Sequence, residues 1–166
     1  MSEKLCPSEG CKLLASEGAP YAKSGGLGDV MEALPRALSK IEGNEVLLIL
    51  PYYKCIKDNP RYETVDLGNF EAGVGWRQVY AGIRELKKNP GFRVWFIDSD
   101  YYFGARPSAI YGELDDGERF TFFSKSCLDA MVIQNWIPDV IQCNDWQTSL
   151  VPTYLKFQYR HLFPNT

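Results

Sequence analysis

The 166 residues carry 18 Lys plus Arg against 21 Asp plus Glu, a formal net charge of −3, and 45% of them are hydrophobic. That length and apolar content predict one globular core and exclude a disordered or collagen-like chain. The acidic balance, with no basic stripe, argues against a nucleic-acid partner. No run of about 18 apolar residues is present, so no membrane-spanning helix is expected. The N-terminal MSEKLCPSEG lacks the apolar core of a secretory signal, and its acidic residues argue against a transit peptide.

In chain order, Lys12 to Ser16 (KLLAS) reads as a short buried strand. A turn with Gly25, Gly26 and Gly28 follows. Leu27, Val30, Met31, Leu34, Ala37, Leu38 and Ile41 then repeat at helical spacing and predict an amphipathic helix ended at Gly43, with Pro35 inside it. Glu45 to Leu50 (EVLLIL) is a continuous apolar run, the mark of a strand covered on both faces of a parallel sheet, and Pro51 closes it. Strand, glycine turn, helix and strand make a βαβ unit.

From Glu63 to Asp98 the texture changes to ETVDLGNF, WRQVYAGIREL and FRVWFID, which read as antiparallel strands with residues 87–91 as a hairpin loop. Phe120, Phe123, Cys127, Leu128, Met131 and Val132 trace a second helix, punctuated by Trp136 and Pro138. DVIQCN, residues 139–144, is a short strand, and DWQTSLVPTYLKFQYRHL restarts a helical pattern with Pro152 inside. The expected fold class is α/β, a Rossmann-like, mostly parallel sheet with an antiparallel hairpin insertion. Tyr52, Tyr53, Tyr101 and Tyr102 are expected to be packing groups and His161 a surface residue. Cys6, Cys11, Cys55, Cys127 and Cys143 are odd in number and lack CxxC spacing, and His161 is the one histidine. A disulfide framework or zinc site is therefore not expected, and a reducing compartment is.

In open α/β sheets ligands sit beyond the carboxyl ends of the strands. The turn of residues 24–28 is so placed, and its glycines let backbone N–H groups approach an anion at the positive end of the next helix, with Lys23 adding an ammonium. The alternative is that the glycines serve strand–helix packing. Neither GxGxxG nor GxxxxGK[ST] is satisfied, which removes the dehydrogenase and NTPase readings. Asp29 is either a cleft residue or a helix-dipole partner. In CNDWQTSLVP, Asp145 can accept hydrogen bonds from a sugar hydroxyl with Trp146 packed beneath it, or serve as a helix N-cap beside a core Trp. Tyr111 lies in a glycine-containing loop as a site residue or a structural one.

The stretches ASEGAPYAKSGGLGDVMEALPRAL, VLLILPYY, IYGELDDGERFTFFSKSCLDAM and PDVIQCNDWQTSLVPTYLK, in that order, closely resemble the amino-terminal part of bacterial and plant glycogen and starch synthases. The resemblance runs from about residue 12 to 157, and its Lys-x-Gly-Gly-Leu signature is specific. It implies transfer of glucose from a nucleotide-diphosphate glucose, usually ADP-glucose, to an α-1,4-glucan with retention of configuration. ADP-glucose is then a donor substrate, and no cofactor is expected. It also implies that Lys23 meets the donor, that Gly25 and Gly26 allow close approach, that Asp29 faces the cleft, and that Tyr111 and Asp145 line the sugar site. Gln147 stands where many members carry His; an amide hydrogen-bonds but does not titrate near neutral pH, so proton transfer is not assigned to it.

The family has two Rossmann-like domains facing a cleft, the GT-B arrangement of glycosyltransferases. These 166 residues resemble only part of the first, acceptor-side domain, without the Thr-(Val/Ile)-His-Asn segment or the second, nucleotide-binding domain. The expectation is a chain inactive alone, with an apolar sheet edge to be covered by a partner such as the missing remainder. The alternatives are a non-catalytic glucan-binding or regulatory module, or a chain without independent function. The implied location is the cytoplasm in a bacterium and the plastid in a plant or alga.

Overall fold

The computed structural model describes residues 9–88, 90–106 and 110–166. Cys6 and Asn89 of the expected hairpin loop lie outside them. One six-stranded sheet runs in the order β3-β4-β5-β2-β1-β6. Its parallel part is β1 (Glu9–Leu14), β2 (Asn44–Pro51), β5 (Arg93–Asp98) and β6 (Val140–Cys143). β2 lies between β1 and β5, and β6 pairs with the other side of β1. β3 (Thr64–Val74) and β4 (Arg77–Leu86) form the antiparallel hairpin, and β4 runs antiparallel to β5. The Rossmann-like sheet with a hairpin insertion is thus observed. The last strand of the alternating stretch belongs to both parts, since β5 ends the meander and is parallel to β2.

The core follows from the continuous apolar run of β2. Leu47, Leu48, Ile49 and Leu50 have no exposed surface, and burial of such side chains contributes about 1.5–3 kcal/mol each. β2 also holds Pro51, which pairs in register with Ile97; a proline is tolerated there because the strand ends and its missing N–H falls at the end of the ladder.

Two boundaries differ from those read in the sequence. β1 begins at Glu9, before the charged Lys12 that marks the expected start, because Lys12 is itself buried. Helix α1 spans Gly26–Leu38 and stops short of Gly43, which occupies a turn at φ +86°. Pro35 stays inside α1 with its ring buried, at the cost of the usual N–H donor to the Met31 carbonyl. The buried stripe of α1 is Gly28, Met31 and Pro35, flanked by Leu27, Leu34 and Leu38, while Val30, Ala37 and Ile41 face outward.

The short helix α2 (Lys54–Lys57) follows β2, and a wider turn, Asp100–Gly104, follows β5. Helix α3 (Asp116–Ile133) buries Phe120, Phe123, Cys127, Leu128 and Met131. Pro152 lies in the first turn of α4 (Val151–Tyr154), where no helical N–H is required, and a wider turn continues through Leu155–Tyr159. Tyr52, Tyr53 and Tyr102 are buried as expected. Tyr101 is not: it is 55% exposed at the sheet edge, because the turn after β5 rotates it away from the core. No helix among the described residues is long and apolar enough to cross a membrane.

Candidate active site

All four parallel strands end on one edge of the sheet, and the sequence-predicted site residues other than Tyr111 lie in the segments that leave β1 and β6 there. After β1 the chain is pinned before it turns. Tyr53 donates its hydroxyl to the Ser16 carbonyl at 2.8 Å, and burial pushes that hydroxyl well above its ordinary pKa, so it stays a donor. Gly18 and Ala22 exchange backbone hydrogen bonds at 2.8 and 3.1 Å, and the Ala19 N–H reaches back to the Gly28 carbonyl at 2.9 Å. The loop is thereby tied to the start of α1.

Glu17 organises the glycine turn, although nothing in its sequence context marks it. It is only 2% exposed, and its Oε2 accepts from the N–H groups of Ser24 and Gly25, the latter at 2.9 Å. Two amides that the glycine-rich pattern offers to an anionic ligand are therefore capped by a side chain of the same loop. An anion at this helix start is left with the N–H groups from Gly26 onward, which have no intrahelical partner in the first turn.

Lys23 crosses this helix start. A Cβ on Gly28 would lie 2.7 Å from Lys23 Cγ, so the glycine is what lets the lysine stem pass. Its Nζ meets Asp29 Oδ1 at 2.6 Å, with both side chains about half exposed. Asp29 thus serves in the first turn of α1 and as the counter-ion of Lys23. A Cβ on Gly26 would meet nothing within 4 Å, so strand–helix packing does not account for that glycine.

Tyr111 comes in from a distant loop. A Cβ on Gly25 would lie 3.5 Å from Glu17 Oε1 and 3.8 Å from the Tyr111 hydroxyl oxygen, which puts these three residues around one small space. The loop is fixed by the start of α3. Asp116 Oδ2 accepts from the Gly112 and Glu113 N–H groups at 2.5 and 3.2 Å. Asp116 Oδ1 binds Arg119 at 2.5 Å, and the buried Arg119 also donates to the carbonyls of Tyr102 and Ile110. Gly112 supplies the turn at φ +105°.

The second group follows β6, the neighbour of β1. Asn144 ties this strand end to β1 through two 3.0 Å hydrogen bonds to the Leu14 carbonyl, from its N–H and from Nδ2. Asp145 is exposed at φ +63° and ψ 179°, a backbone state that costs on the order of 1–3 kcal/mol and is found where surrounding structure enforces it. Its Oδ1 accepts from the Trp146 N–H at 2.7 Å. Trp146 is half exposed, its ring edge-on to Phe120 with centroids 5.3 Å apart. Gln147 is 2% exposed beside α3, lining a cavity of about 320 Å³ with Phe120 and Trp146, and its Oε1 has no hydrogen-bond partner among the described residues. The structure therefore pairs Lys23 with Asp29 across Gly28, sets Gly25 beside Glu17 and Tyr111, leaves Gly26 open between them in sequence, and sets Asp145 and Gln147 on the adjacent strand end. No group of three or more His, Cys, Asp or Glu side chains among the described residues is placed to hold a metal ion.

Comparison with known proteins identifies the family. The family model described as "Starch synthase catalytic domain" matches residues 12–166. A glycogen synthase of Clostridium acetobutylicum is 47% identical over 148 residues, and one of Streptococcus pneumoniae is 44% identical over 147. Each alignment covers 89% of this chain and 30% of the relative. The catalytic domain of starch synthase IV from Arabidopsis thaliana, solved with ADP and acarbose, superimposes with a TM-score of 0.82 at 30% identity, over 96% of this chain and 32% of that one. The chain spans about a third of the length of these proteins, and by its sequence match and its fold it belongs to the starch synthase catalytic-domain family.

Proposed function

We propose that this chain forms one wall of the active site of a retaining glucosyltransferase that moves glucose from ADP-glucose to the non-reducing end of an α-1,4-glucan. The observation that carries the reading is the Lys23–Asp29 pair at the N-terminus of α1, held over Gly28 within the Lys-x-Gly-Gly-Leu loop. With no donor bound, Lys23 has an internal counter-ion; a diphosphate arriving at the helix start replaces Asp29 as its partner. The N–H groups from Gly26 onward add their partial positive charge at the same place. Glu17 takes no part in that contact. It holds Ser24 and Gly25 so that the lysine enters at a fixed angle.

Departure of the nucleoside diphosphate leaves positive charge on the glucosyl carbon, and groups that meet the developing charges accelerate the step. Asp145, rigid at its strained turn, offers a carboxylate oxygen to a sugar hydroxyl and negative charge to that centre. Tyr111 and Gln147 supply hydrogen bonds to the sugar. Lys23 is the one cation among these candidate residues, so the leaving group needs further positive charge from outside them. The reading needs no cofactor besides the donor, and it implies the cytoplasm of a bacterium or a plastid as the location.

The test is a chimera in which this chain replaces the aligned segment of the Clostridium acetobutylicum glycogen synthase. Transfer of radiolabelled glucose from ADP-glucose to glycogen is the expected result. A folded chimera that binds glycogen but transfers nothing, while the parent enzyme remains active, would replace this reading with that of a non-catalytic glucan-binding module.

A further inference from the structure

Two arginines fasten the loop that carries Tyr111, and they do so with matched partners. Arg106, just past the wide turn that follows β5, donates from Nε to the Tyr101 carbonyl at 2.9 Å and from both terminal nitrogens to Asp115, at 2.8 and 2.6 Å. Arg119, in α3, donates from Nε to the next carbonyl, that of Tyr102, at 3.0 Å and from Nη1 to the next acid, Asp116, at 2.5 Å. Consecutive carbonyls of one turn are thus tied to consecutive carboxylates at the start of α3. The planar guanidinium fork has the donor geometry for this double contact, and a lysine ammonium does not.

Both aspartates serve the loop in preference to the helix they begin. An aspartate at a helix start ordinarily accepts from amides of the helix's own first turn. Asp115, at the N-cap of α3, makes no such bond, and both of its oxygens go to Arg106. Asp116 turns back to the Gly112 and Glu113 N–H groups and to Arg119. The hydrogen bonds from Arg106 hold the Asp115 carboxyl below its ordinary pKa, so this pair stays ionised near neutral pH. The two clasps differ in depth. Arg119 is buried, and removing it would leave the buried Asp116 without its cation. Arg106 and Asp115 keep 25% and 38% of their side-chain surface exposed, so the outer clasp can be opened without emptying the core.

Tyr111 lies between the two ends of this loop, with its hydroxyl oxygen at the space shared with Gly25 and Glu17. The backbone on either side aims it. The Ile110 carbonyl accepts from Arg119 at 3.4 Å, and the Gly112 N–H donates to Asp116 at 2.5 Å. Both of these anchors belong to α3. Arg106 in turn fixes the start of α3 against the turn after β5, and so against the sheet whose strand ends carry the glycine turn. We infer that Arg106, paired with Asp115, is a positioning residue for the proposed transfer and sets where the Tyr111 hydroxyl meets the sugar. The role rests on the proposed function, in which Tyr111 hydrogen-bonds the sugar; the clasp rests on the geometry. Arg106 touches no reacting group, and its effect on transfer runs through Tyr111.

A double-mutant cycle in the glycogen synthase chimera tests this, read as transfer from ADP-glucose. Tyr111→Phe should lower kcat/KM by about 10-fold, the usual effect of losing one hydrogen bond to a bound ligand, and Arg106→Gln by a similar factor. The double variant should lie within about twofold of either single one, because both changes remove the same contact. Asp115→Asn breaks the pair from its other side and repeats the cycle where the arginine variant folds poorly. Losses that multiply, to about 100-fold in the double variant, would make Arg106 a structural residue only and overturn the inference. Full transfer by Arg106→Gln would overturn it as well. The placement is also read without turnover, in the 166-residue chain with fluorotyrosine at position 111. There Arg106→Gln should move and broaden the fluorine resonance, and an unchanged resonance would overturn the inference. A chimera that transfers nothing, beside a resonance that does move, would count against the proposed function alone.

Discussion

The two halves of the sheet are built differently and hold their exposed groups in different ways. In the parallel half, β2 is buried from Val46 to Pro51, and the residues that matter stand in loops beyond the strand ends, each pinned by hydrogen bonds to a buried neighbour. In the hairpin, β3 buries only Ala72 fully and carries a register shift between Asp66 and Gly68, while the exposed rings are Tyr80 on β4 and Trp76 in the turn at the tip. The parallel half offers precision at a point, suited to chemistry. The hairpin offers exposed area along one edge of the sheet.

The contrast in packing gives the largest expected effect. Leu48→Ala, in the centre of β2, should lower unfolding free energy by about 2–5 kcal/mol, whereas Val65→Ala on the half-exposed β3 should stay within about 0.5 kcal/mol, both read from urea denaturation. Comparable losses at both positions would mean that the hairpin is covered in solution. Next comes the point chemistry: Lys23→Ala in the chimera should reduce glucosyl transfer by about 10²–10³-fold, the usual cost of losing one preorganised donor, while the affinity for maltoheptaose changes less than twofold. Equal losses in transfer and glucan affinity would remove Lys23 from the donor side.

Smaller effects test the pinning. Glu17→Ala should cost about 1–3 kcal/mol by leaving the Ser24 and Gly25 amides without their acceptor, and hydrogen exchange at those two amides should accelerate. Glu17→Gln, which keeps an acceptor oxygen, should restore most of the protection. Lys12 supplies a pH-dependent case at the other end of β1. Its Nζ lies 3.4 Å from the Trp136 ring centre with no hydrogen-bond partner among the described residues, and burial pushes its pKa from 10.5 down to about 8. Between those values the unfolded chain binds more protons than the folded one, so stability rises with pH across that window. Lys12→Met should therefore be more stable than the unmodified chain near pH 7, by about 1–2 kcal/mol. The gap should close as pH approaches 10.5.

Much of the parallel half is legible in the sequence because its signals are local. EVLLIL announces a doubly covered strand, the glycine turn announces the strand-to-helix passage, and alternation announces the hairpin. Glu17 is not legible. Its role arises only when the loop folds back so that a carboxylate meets amides seven and eight residues later, and between Ser16 and Gly18 it looks like any loop acid. Lys12 misleads for a related reason, since a charge in an apolar strand suggests a boundary, whereas here its stem is buried and its ammonium lies against Trp136. The exposure of Tyr101 depends on the unusual width of the turn after β5, which neighbouring tyrosines do not reveal. At Asp145, spacing indicates a strand-end acid but not the left-handed backbone that fixes it.

That left-handed backbone decides which replacements at position 145 report on charge. Asparagine matches the size of aspartate and keeps the side-chain oxygen that accepts from the Trp146 N–H, so Asp145→Asn removes one negative charge while leaving that turn bond in place. Alanine or a β-branched residue would relax the turn as well and merge two effects in one number. Glycine would free the backbone and delete the side chain together. The asparagine and glycine variants, compared in parallel, separate the contribution of the carboxylate from that of the rigid frame presenting it.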